Sequence, residues 1–133
     1  MSSANVAIVQ NIYAAFALGD APAVFASMSP DVVWNEAENS PYADRNPYIG
    51  AAAIGEGVFG RILAAWGGFQ VVSAELVDGG DTIISLGRYV ATNNATGKPL
   101  DAQCVHVWCL ANGKVISFQQ YTDTLQWTDA MKA

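Results

Sequence analysis

The chain has one histidine, two cysteines and twelve acidic side chains, so any chemistry rests on few groups. His106 and Asp123 stand in VHVWCLANGKVISFQQYTD (105–123), a strongly apolar hairpin to which neither lends burial. A neutral imidazole offers one N–H to a developing oxyanion, and a carboxylate can take up a proton. A third group, Glu36, follows Val32 and Trp34 at alternate positions of DVVWNE (31–36), so the three share one strand face. In apolar surroundings such a carboxylate is pushed toward neutrality, which suits proton removal beside a carbonyl.

Asn112-Gly113 is the preferred pair for a two-residue hairpin turn. A strict ladder from that turn sets Trp108 opposite Ser117, His106 opposite Gln119, Cys104 opposite Tyr121 and Ala102 opposite Asp123. One face then carries His106, Trp108, Ser117, Gln119, Tyr121 and Asp123, and the other Val105, Val107, Cys109, Ile116 and Phe118. Rings mixed with a few polar groups suit a small-molecule pocket, and an enclosed Trp108 favours that face as the concave one. In this register His106 and Asp123 lie four residues apart, roughly 13 Å, and do not form a dyad. Trp34, Tyr42, Trp66, Tyr89, Trp108, Gln119 and Tyr121 are the candidate ligand walls, with Tyr42 on a loop long enough to serve as a lid.

Cys104 and Cys109 fall on opposite faces of one strand, which excludes a mutual bond, and with a single histidine no zinc set can be assembled. Reduced thiols and the lack of a charged leader point to a cytoplasmic protein. The net charge of −6 and six scattered basic residues offer nothing to a phosphate backbone or an anionic membrane surface. No apolar run approaches the roughly 20 residues that span a bilayer.

The elements that must position these groups follow from spacing. Val6, Val9, Tyr13 and Phe16 recur at threes and fours, predicting a helix over 4–18. Gly19 ends it and Asp20 caps a short second helix. A strand over 31–36, an irregular stretch over 37–49 and a glycine-rich helix over 51–66 come next. Strands over 69–77, 82–92, 100–110 and 115–123 complete the chain. Helices followed by antiparallel strands predict a single α+β domain over residues 1–133, a curved sheet with its helices gathered on one side.

LGD (18–20), DVVWNEAENSPYA (31–43), YIGAAAIGEGVFG (48–60), DGGDTIISLGRY (78–89) and the hairpin with Thr124 together resemble the nuclear-transport-factor-2-like superfamily, in its SnoaL-like and ketosteroid-isomerase-like branch. The resemblance implies a cystatin-like α+β roll, a cone with an apolar cavity, and pairing of two copies through the outer sheet face. It implies a small hydrophobic ligand and no metal or organic cofactor. Matched position by position, it sets Glu36 as the base, His106 near the oxyanion donor, Tyr13 near the first-helix tyrosine, and Asp123 near the aspartate used by the cyclases. The expected chemistry is cofactor-free isomerisation, cyclisation or dehydration of a hydrophobic carbonyl compound, with Glu36 or else Asp123 as base. His106, with Tyr121 or Tyr13, would steady the enolate. The alternatives are a binding module that leaves its ligand unchanged and a dimeric interaction domain.

Overall fold

The apolar stripe of the first segment forms helix α1 (Ser3–Ala17) in the computed structural model, which describes residues 3–133. Gly19, at φ 71°, turns the chain, and the Asp20 carboxylate accepts from Ala23 N to cap α2 (Ala21–Ala26). Strand β1 (Met28–Asn35) follows. The next stretch contains a single turn of 3-10 helix at Ala43–Arg45 and a two-residue strand, β2 (Tyr48–Ile49).

The helix expected over 51–66 is there in three pieces: α3 (Gly50–Ile54), a π-helical turn (Gly55–Gly60) and α4 (Arg61–Ala65). Ile54, Val58 and Ile62 are buried as their spacing requires. Trp66 instead opens the long strand β3 (Trp66–Gly79), which pairs with β4 (Thr82–Asn93). Strands β5 (Pro99–Ala111) and β6 (Lys114–Thr122) form the hairpin, and α5 (Thr124–Met131) closes the chain.

The sheet order is β2-β1-β6-β5-β4-β3. All pairs are antiparallel except β1 with β6, which run parallel. Extra residues in β3, between Gly67 and Gln70 and between Ser73 and Glu75, bend the long ribbon. The core lies in the concavity between sheet and helices, which is the expected α+β cone.

One bulge corrects the hairpin register. Asn112 and Gly113 have positive φ, as a type I′ turn requires, and Ala111 pairs with Lys114 and Leu110 with Val115. Cys109 then pairs with Ser117, so Ile116 is an extra residue and every later pair moves by one. His106 faces Gln120 rather than Gln119, and Trp108 faces Phe118 rather than Ser117. Because side chains alternate with a period of two, the slip exchanges the faces of the rest of β6. Phe118 and Gln120 point inward, each 3% exposed, while Tyr121 is 55% exposed on the outer face.

No helix among the described residues is long and apolar enough to cross a membrane.

Candidate active site

The concave face of β5 presents His106 and Trp108, as expected, into a cavity of ≈ 60 Å³ walled by Ile12, Tyr13, Trp34, Tyr89 and Phe118 among others. The candidates Glu36, His106, Tyr13, Trp34, Tyr89 and Trp108 therefore meet at one place. The polar groups among them form two centres.

The first centre is Glu36, 2% exposed, just past the end of β1. Its backbone is clamped by Asn46, whose Oδ1 accepts from Glu36 N at 3.0 Å and whose Nδ2 donates to Glu36 O at 2.8 Å. Trp34 Nε1 donates to Oε2 at 2.9 Å, across the two-residue repeat that puts both side chains on one face. Oε1 accepts from no donor among the described residues and is open to solvent-sized space, since no side-chain oxygen among them is both buried and unpaired. Burial raises this carboxyl to about 7, against the Trp34 hydrogen bond and the charge of Arg61, which both lower it.

The second centre is a trio around the imidazole. His106 Nδ1 meets the Tyr13 hydroxyl at 2.6 Å, and Nε2 meets the Tyr89 hydroxyl at 2.5 Å. Trp108 Nε1 donates to the Tyr13 oxygen at 3.0 Å, and Gln120 Nε2 donates to the Tyr89 oxygen at 2.8 Å. Gln120 is oriented by Ala37 N, which donates to its Oε1 at 3.0 Å. Burial lowers His106 to about 3, so the ring is neutral at physiological pH. Burial raises both phenols above their ordinary value, so they keep their protons.

The proton count in this trio is decisive. A neutral imidazole has one N–H and one lone pair. One tyrosine therefore donates to the ring and the other accepts from it. The accepting phenol already receives an N–H from Trp108 or Gln120, and its own O–H is left for an acceptor outside the trio: Ser85 beside Tyr13, Cys104 beside Tyr89, or a ligand oxygen that takes their place. The centre thus holds a neutral O–H donor, not committed to the imidazole, at the cavity wall.

The remaining candidates lie elsewhere. Asp123 is exposed at the start of α5, where its Oδ1 accepts from Gln126 N, so it is a helix cap. Gln119 and Tyr121 are expected on the pocket face, but the Ile116 bulge turns them to the outer side, where they border a second, polar groove with Glu38 and Asn39 that Glu36 also lines. Tyr42 and Trp66 are buried but outside the cavity. Trp66 Nε1 donates to the Tyr42 hydroxyl at 2.9 Å, and both rings pack on Trp127 of α5. Tyr48 donates to the Tyr42 carbonyl, so the loop expected to serve as a lid is tied to the core instead.

Sequence reasoning missed Gln120 and Phe118, assigned to the wrong face, and the ring of Phe16, Phe59 and Phe69 around the cavity. Val115 and Phe118, three residues apart, are both buried, which the bulge permits and strict alternation does not. Burial pushes the Cys104 thiol up to about 12, so it stays protonated and makes a poor nucleophile. No group of His, Cys, Asp and Glu able to hold a metal occurs among the described residues.

Comparison with known proteins agrees with this architecture. Residues 9–118 match the SnoaL-like domain family. An NTF2-like protein from Burkholderia thailandensis E264 is 37% identical, with 95% of each chain covered and a TM-score of 0.90. Bal32a, from a soil-derived mobile gene cassette, is 28% identical over 98% of each chain at a TM-score of 0.87. A proposed SnoaL-like polyketide cyclase from Jannaschia sp. CCS1 shares the fold, with 19% identity, 99% of this chain and 94% of the other covered, and a TM-score of 0.83. No curated protein matches the chain.

Proposed function

This chain belongs to the SnoaL-like family, and from that footing we propose that its cavity performs acid/base chemistry on a small hydrophobic carbonyl compound. The observation that carries the reading is Glu36, a carboxyl held near neutrality at the wall of an apolar cavity, with one oxygen unpartnered. Near pH 7 its ionised and protonated forms coexist, so the same group can take a proton and return it. Glu36 removes a proton from the carbon next to the carbonyl. The electron pair moves onto the carbonyl oxygen, which accepts the spare phenol O–H of the Tyr13–His106–Tyr89 trio. In a β,γ-unsaturated ketone, Glu36 returns the proton to the γ carbon as the carbonyl re-forms, which completes an isomerisation. In a ring closure the enolate carbon attacks a second carbonyl carbon of the substrate, and Glu36 returns the proton to the alkoxide oxygen so formed. The neutral His106 selects which phenol is the donor and brings no charge of its own. Asp123, fixed as a cap on the surface, takes no part.

Steroids, terpenoids and aromatic polyketide ketones are the compounds to screen, first by thermal shift and then for turnover. Loss of turnover in Glu36→Gln with ligand binding kept is the expected result. Unchanged turnover in that variant removes Glu36 as the base.

The outer sheet face supports pairing with a second copy of the chain. Leu86, Val105 and Tyr121 form one cross-strand row there, and Leu86 and Tyr121 are exposed. Sedimentation of Val105→Glu is expected to show monomer where the wild type shows dimer. A monomeric wild type overturns the pairing.

A further inference from the structure

Two spaces meet at one ring of aromatic side chains. The inner cavity, ≈ 60 Å³, contains Glu36 and the imidazole trio. An outer bowl of ≈ 610 Å³ is bordered by Gly19, Asp20 and Gln70. Phe16, Phe59, Leu63 and Phe69 line both spaces and form the neck between them. Pockets that enclose an organic ligand usually measure about 300–1,000 Å³. The inner cavity falls well below that range, and the bowl falls within it.

We propose that Phe59 is a specificity-determining gate in this neck, and that the substrate is an elongated, mostly apolar molecule. Its carbonyl end enters the inner cavity and the rest lies in the bowl. The role of that carbonyl end rests on the acid/base reading given above.

Phe59 is placed for such a role. Its ring meets Phe16 edge-on at 5.3 Å, stacks on Phe25 at 5.4 Å and meets Trp34 edge-on at 5.6 Å. Trp34 is the indole that donates to Glu36, so one ring separates Phe59 from the carboxyl. Phe16 in turn meets Phe69 at 6.1 Å across the neck. Phe59 is carried by the π-helical turn, a feature frequent at functional sites.

The backbone of that turn is anchored on both sides of the ring. A Cβ at Gly57 would collide with Tyr48, so the turn sits directly on that ring. Arg61 N donates to Val58 O, and Arg61 Nε donates to Gly57 O at 2.5 Å. The Arg61 guanidinium also holds Asp44 at 2.8 Å. With the backbone fixed, opening belongs to rotation of the Phe59 side chain. The ring is only half-buried and faces space on two sides.

The test is stopped-flow binding of phenol, beta-naphthol and para-phenylphenol, read by quenching of Trp34 and Trp108, which line the inner cavity. Phe59→Leu, which keeps most of the packing, is compared with Phe59→Ala and the wild type. Association of the two larger phenols is expected to speed up by about tenfold or more in both variants, with phenol little changed, because binding that waits on a conformational step is slow. Unchanged rates for all three probes in a folded Phe59→Leu overturn the gate. Absence of binding by every protein also overturns it, because removing the ring must join the two spaces. A gate seen in binding, alongside turnover indifferent to Glu36→Gln, overturns the acid/base reading and leaves the gate standing.

Discussion

The two polar centres of the cavity share their burial and differ in valence. His106 has a hydroxyl on each nitrogen, and those hydroxyls are themselves held by Trp108 and Gln120. Glu36 has one partner on one oxygen. Burial drives each toward its uncharged form, His106 down to about 3 and Glu36 up to about 7. A saturated group of this kind sets geometry and stays neutral through any ordinary pH. An unsaturated one titrates where a reaction needs it to. Burial alone therefore does not tell the two centres apart, and the unfilled hydrogen-bonding position does.

The sharpest way to break this contrast is His106→Ala. It leaves a void and strips two buried phenols of their shared partner, so a loss of about 3–5 kcal/mol is expected in chemical denaturation. A loss below about 1 kcal/mol, the scale of an ordinary surface change, contradicts the saturated picture.

Next in size is the pH dependence of stability, where the two centres act with opposite sign. The folded Glu36 binds its proton more tightly than the unfolded chain does. Its contribution is therefore present at low pH and lost as pH rises from about 4.5 to about 7. The folded His106 binds its proton less tightly. Its contribution is full above about 6.5 and lost as pH falls toward about 3. Between about 4.5 and 6.5 the two slopes oppose each other, so a flat stretch is expected there, with decline on the acid side from His106. Glu36→Gln removes one slope. At pH 8 it is expected to exceed the wild type by roughly 3 kcal/mol, an advantage that disappears by pH 4. A constant difference across that range, followed by urea unfolding, contradicts the assignment.

Gln120→Leu tests the link between the centres, since Gln120 joins Ala37, next to Glu36, to Tyr89 of the trio. A loss of about 2 kcal/mol is expected, since Ala37 N is left without its acceptor and the Tyr89 oxygen keeps only His106. The smallest effect belongs to Asp123→Ala. Loss of a cap costs about 1 kcal/mol, and turnover is expected to stay at the wild-type level. A large fall in turnover with stability kept would return Asp123 to the site.

Much of this arrangement was legible in the sequence because it rests on local rules. The Asp20 cap, the Asn112-Gly113 turn and the Trp34–Glu36 face follow from spacing and turn chemistry within a few residues, and each is found as expected. The enclosed position of His106 was favoured by Trp108 two residues along the same strand and implied by the family resemblance, and His106 is buried. What stayed hidden depends on a single extra residue. Val115, Ile116, Ser117 and Phe118 suit a strand in either register, and nothing local distinguishes a bulge from strict alternation. The π-helical turn was hidden in the same way, since its residues keep the helical stripe of Ile54, Val58 and Ile62. Tyr42 and Trp66 are aromatic and buried, but only the position of Trp127 shows that they seal the core away from the cavity.

The bulge at Ile116 also says something about how such pockets change over time. A point substitution alters one wall residue and keeps its neighbours. Losing or gaining one residue between Leu110 and Phe118 trades Phe118 and Gln120 for Gln119 and Tyr121 in a single event, while the turn and β5 stay as they are. For a lineage built on this hairpin, a change of length is the shortest mutational path between two different pocket chemistries.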